Sequence, residues 1–83
     1  MKNPEILKNL QAHIRNALSY RQHWLDYRDV SAIRCYAFAL GKCAAWECIA
    51  KQSGVVLPDD VRDSLAQFQM DYEDTGLNSI LRK

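Results

Sequence analysis

Between Val30 and Gln52 the sequence VSAIRCYAFALGKCAAWECIAKQ places apolar side chains on almost every side of a helical wheel, and this limits the fold more than any other feature. A helix of that kind is covered by neighbours on more than one side, because a single buried stripe would leave the remaining apolar surface in water. Ile33, Ala37, Leu40 and Ala44 form one apolar face; Cys35, Ala39, Trp46 and Ala50 form another. Small residues, Ala32, Ala37, Ala39, Gly41, Ala44, Ala45 and Ala50, let neighbouring helices approach closely. Close backbone contact would account for Gly41, since glycine inside a helix costs about 1 kcal/mol relative to alanine. Asp29 is the expected N-cap, and the helix over 30–52 should end at Ser53 and Gly54, with Gly54 supplying a left-handed cap.

The flanking segments supply the cover. Asn3 caps and Pro4 opens a helix expected over 4–25, with Glu5 near the positive end of its dipole. Leu7, Leu10, Ile14, Ala17 and Trp24 recur at helical spacing, Leu18 and Leu25 widen the stripe, and Lys8, Arg15 and Gln22 lie opposite. After a short extended link, Val55 to Leu57, a third helix is expected over 58–74. Pro58, Asp59 and Asp60 stand at its start, Val61, Leu65, Phe68 and Tyr72 form its stripe, and Thr75 and Gly76 end it. Leu77, Ile80 and Leu81 would add a final turn or a tail ending in Arg82 and Lys83. With 83 residues there is room for one hydrophobic core, so 1–83 reads as a single domain. Short connections predict an all-α fold, a small antiparallel three-helix bundle with a short C-terminal turn or tail.

Composition narrows the function classes. A net charge of +1 provides no global attraction to nucleic acid or anionic membrane, so any such binding has to come from a local patch. The N-terminus lacks the apolar core of a secretory signal, and the most apolar stretch, Cys35 to Ala50, is too short and carries Lys42 and Glu47. A cytoplasmic protein is expected. Cys35, Cys43 and Cys48 fall on one helix at offsets of eight and five, which suit neither a disulfide nor a metal site, so all three are expected as reduced core residues. His13 and His23 are expected at the surface. No cofactor or metal is expected.

Nor does any grouping of nucleophile, base and acid, phosphate-binding loop or HExxH motif stand out, and the chain is not expected to be an enzyme. Charge is nevertheless partitioned. Residues 1–28 carry Lys2, Lys8, Arg15, Arg21 and Arg28 against Glu5 and Asp26. The third helix carries Asp59, Asp60, Asp63, Asp71, Glu73 and Asp74 against Arg62, an expected acidic surface. Tyr20, Arg21, Trp24, Tyr27 and Arg28 form the densest cluster of residue types that dominate interface hot spots, and are the expected partner-binding residues. The leading expectation is a non-catalytic protein–protein interaction module, of the kind used by small phage or mobile-element inhibitors of larger host proteins. The alternative is a nucleic-acid-binding regulator using the basic N-terminal helix, or a degenerate helix-turn-helix in which Ala37 and Gly41 match the small-residue and turn positions while Lys42 and Glu47 depart from the pattern. A homodimer is a third expectation if Cys35, Ala39, Trp46 and Ala50 stay exposed, with Trp46 as anchor; the competing outcome is that the first helix takes one face, the third takes the other and Trp46 is core.

Overall fold

The computed structural model describes residues 3–73. They form three helices, α1 (Asn3–Tyr27), α2 (Val30–Gln52) and α3 (Asp59–Glu73), joined by short connections into an antiparallel bundle of 38 × 19 × 19 Å. The expected third-helix end at Thr75 and Gly76, the segment Leu77 to Leu81, and Asp74, Arg82 and Lys83 lie outside the described residues.

Local chemistry sets the helix ends. Asp29, in extended backbone, accepts a hydrogen bond from the Ser31 amide at 2.9 Å and so satisfies one of the free N–H groups that open α2. At the other end Gly54 has φ 72°. The Gly54 amide donates to the Lys51 carbonyl (3.2 Å) and the Val55 amide to that of Ala50 (2.9 Å), the paired bonds of a Schellman cap. Helix α1 runs two residues beyond the expected Leu25. It closes on Arg28, whose φ of 54° is unusual for a non-glycine residue and lets its amide donate to the Trp24 carbonyl at 2.8 Å.

The core is built from Ile6, Leu10, Ile14, Ala17 and Trp24 of α1, Ala32, Tyr36, Ala39, Leu40, Cys43 and Ala50 of α2, and Val61, Leu65 and Phe68 of α3. Helix α2 packs far more extensively on α1 than on α3. That asymmetry corrects several expectations. Ala37 and Ala44 are exposed, because the sector of α2 on which they sit is left open by the thin α3 contact. Ala39 and Ala50 are buried against the rest of the fold, so Cys35, Ala39, Trp46 and Ala50 do not form the exposed patch that the dimer expectation required. Trp46 is half-buried against α1. Only Cys43 is a core cysteine, while Cys35 and Cys48 are exposed. Gly41 meets no close backbone: a Cβ placed there would have nothing within 4 Å. In α1 Ile6 is buried where Leu7 was expected, with Leu7 packed at the edge.

A buried polar cluster joins all three helices. Asp71 is 1 % exposed, which removes it from the expected acidic surface, and Tyr72 stands in solvent instead. Its carboxylate Oδ2 accepts from Arg21 Nε of α1 at 2.8 Å and from Tyr36 Oη of α2 at 2.5 Å, and Oδ1 accepts from Gln67 Nε2 at 3.0 Å. The Tyr36 ring meets Phe68 edge-on, with centroids 5.9 Å apart. Burial by itself would push the Asp71 carboxyl up, but the hydrogen bonds from Arg21 and Tyr36, the Arg21 charge and Gln67 outweigh it and hold the group below the usual carboxylate range. Burial likewise opposes the Arg21 charge, and Asp71 outweighs it. For Tyr36, burial and then the Asp71 hydrogen bond and charge act together to push the phenol far up.

Candidate functional site

Among the described residues, three surface concavities differ in what they present. The largest, about 730 Å³ beside the α2–α3 connection, carries charge of both signs, and Glu47 pairs there with Lys51 at 3.2 Å and Asp59 with Arg62 at 4.0 Å. Its lining holds three acids, Glu47, Asp59 and Asp63, against two bases, Lys51 and Arg62. A second groove of about 500 Å³ between α2 and α3 is lined by Ala37, Gly41, Ala44, Leu65, Phe68 and Tyr72, with Glu47 and Gln69 as its polar groups. The third, about 290 Å³, lies between α1 and α2 and combines cations with aromatic rings in the absence of any lining carboxylate.

Helical spacing builds that third groove. On α2, Arg34, Phe38 and Lys42 follow one another at steps of four and so stand in a row on the outer face. Phe38 is 70 % exposed, a large apolar ring presented to water, and the Lys42 ammonium sits 4.9 Å from its centroid. On α1, His13, Asn16 and Tyr20 form the opposing wall, with Tyr20 39 % exposed. His13 is fixed by stacking on Trp46, ring centroids 6.0 Å apart. Cys35, exposed, and Ala39, buried, complete the lining. Among the described residues neither Arg34 nor Lys42 makes an ion pair. Asp26, in the last turn of α1, and Asp29, in the α1–α2 turn, are each already engaged: Asp26 with Gln22, and Asp29 with Ser31 and His23.

The structure divides the residues expected to bind a partner. Tyr20 lines the groove and Tyr27 is 71 % exposed near the end of the same helix, its ring 4.8 Å from that of His23. Trp24 is a core residue, 8 % exposed, and the Arg28 guanidinium lies over its ring at 5.2 Å. Arg21 is committed to Asp71. Asp59, Asp60 and Asp63 are exposed as expected on α3; the side chain of Glu73 lies outside the described residues. Arg34, Phe38 and Lys42 were missed by reading the sequence. Their signal was present as an i, i+4, i+8 row, but it is hidden inside a helix that is apolar nearly all round.

Helix α2 continues unbroken through Gly41, so Ala37 and Gly41 do not form the turn of a helix-turn-helix. With Arg21 bound to Asp71 and Arg28 lying on Trp24, the basic residues of α1 do not present one free row. Among the described residues no helix is long and apolar enough to cross a membrane, and no group of three or more metal-ligating side chains gathers. Comparison of the chain with models of known families, with curated proteins and with solved structures found no significant match.

Proposed function

We propose that this chain is a non-catalytic protein-binding module that engages a larger protein through the α1–α2 groove. The observation that carries the reading is Phe38, a largely exposed ring on a well-packed helix, flanked by Arg34 and Lys42 and faced by Tyr20. Aromatic and arginine side chains together dominate the binding energy of protein interfaces, because they bury large area while retaining a polar or charged contact. A module of this kind acts by occupying its partner's surface. Two cations in the groove are too few for a phosphate-tracking site, in which six or so neutralised phosphates typically supply the affinity.

The test is position-specific photo-cross-linking in lysate of the native cells, with the photoreactive residue at position 38 and, as a control, at the exposed Met70 of α3. A protein cross-linked from position 38 but not from 70, and displaced by excess unlabelled chain but not by its Tyr20→Ala/Phe38→Ala variant, is the expected result. Equal capture from both positions, capture of nucleic acid alone, or none, overturns the proposal.

A further inference from the structure

We infer that the groove takes an acidic helix of its partner, one bearing two carboxylates a heptad apart with an apolar residue between them. The inference rests on the protein-binding reading above and specifies the chemistry of the partner. Arg34 and Lys42 are eight residues apart on α2, about 12 Å along its axis, and Phe38 lies midway. The groove presents two positive charges with an apolar ring between them and supplies no carboxylate of its own. A helix laid along it has side chains on one face at i, i+3 or i+4, and i+7, spanning about 10.5 Å, which matches the row. Carboxylates at i and i+7 then reach Arg34 and Lys42, and the residue between them packs on Phe38 and Tyr20.

A second copy of this chain fits less well. Symmetric antiparallel pairing of two α2 helices sets the Arg34–Lys42 edge of each beside that of the other, like charge against like. The exposed acids of α3, Asp59, Asp60 and Asp63, fall within about 6 Å of helix axis, half the separation of the cations.

The chain carries its own reporter. Cys35 lies in the groove and is exposed, Cys48 is exposed outside it, about 9 Å along the α2 axis beyond Lys42, and Cys43 is buried with its thiol pushed up to about 11 by burial first and the Glu47 charge second. The probe is a helix-forming peptide with Glu, Leu and Glu at i, i+4 and i+7, together with the same peptide carrying Lys at both Glu positions. Alkylation at Cys35 and Cys48 is followed by mass spectrometry with peptide up to about 1 mM. The acidic peptide should slow alkylation of Cys35 roughly ten-fold at about ten times its Kd, and leave Cys48 unchanged. Phe38→Ala should remove the protection, and Arg34→Glu/Lys42→Glu should transfer it from the Glu peptide to the Lys peptide, with helicity by circular dichroism retained in both variants.

No protection by the acidic peptide, equal protection of both cysteines, or protection indifferent to the charge swap overturns the inference. So does a doubled mass in light scattering that Phe38→Ala abolishes, which would assign the groove to a second copy. If position 38 cross-links a protein while the peptides fail, only the acidic-helix chemistry falls. If position 38 cross-links no protein, the protein-binding reading falls with it.

Discussion

Asp71 concentrates at one residue what three helices contribute. Its Oδ2 takes two charge-assisted bonds, from Arg21 and Tyr36, in a site 1 % exposed. Removing the carboxylate leaves a partly buried guanidinium and a fully buried phenol without their acceptor, so Asp71→Ala should lose about 3–5 kcal/mol of unfolding free energy. Tyr36→Phe keeps the ring packing on Phe68 and the Arg21 bond, and should lose about 1–3 kcal/mol. Urea titration of both variants at neutral pH checks the order, and a loss below about 1 kcal/mol for Asp71→Ala would mean that the cluster behaves as a solvated surface pair. Tyr36 was legible in principle, since it continues the Ala32, Leu40 and Cys43 row. Asp71 was not, because an acid next to an apolar stripe reads as its wet edge until the Arg21 and Tyr36 donors are seen to converge on it.

At the scale of the helix, two glycines behave in opposite ways. Gly41 sits inside α2 with open space where a Cβ would go, so Gly41→Ala should stabilise the protein by about 0.5–1 kcal/mol, by lowering the entropy of the unfolded chain. Gly54 also has open space, but its φ of 72° is the left-handed cap, and Gly54→Ala should cost about 1–2 kcal/mol. Thermal melts separate the two, because each kcal/mol moves the Tm of a domain this size by roughly 4–8 °C, upward for Gly41→Ala and downward for Gly54→Ala. A fall for Gly41→Ala would show that something approaches α2 at this point. The expected close helix approach at Gly41 failed for a plain reason: small residues permit close packing, but only the position of a neighbour decides where it happens.

For the whole molecule, the weak link is α3, which packs less on α2 than α1 does and is tied to both helices through the Asp71 cluster. This ties stability to pH at both extremes. The Asp71 carboxyl lies below its unfolded value of 3.8, so the stability it contributes is full above that value and is lost as pH falls through its lower folded value. The Tyr36 phenol lies above its unfolded value of 10.0; its contribution is full below pH 10 and is lost as pH rises toward the folded value. Melting temperature should therefore form a plateau with an acid fall beginning near pH 4 and an alkaline fall above pH 10. The acid fall should shrink in Asp71→Asn, and an unchanged acid slope in that variant would assign it to other carboxylates.

Helix number, the caps at Asp29 and Gly54 and the approximate bounds of each helix follow from the sequence alone, because they depend on residues within a turn or two of one another. The apolar stripe of α1 and most of that of α3 were legible for the same reason, each being the one apolar side of an otherwise polar helix. For α2 the pattern determined only that it must be covered. Which sector met α1, which met α3 and which stayed open depended on where the other two helices came to rest. That placement buried Ala39 and Ala50, exposed Ala37 and Ala44, and set the row of Arg34, Phe38 and Lys42 across from Tyr20. The groove and the Asp71 cluster both join residues far apart in the chain, and no local period along one helix records such a meeting.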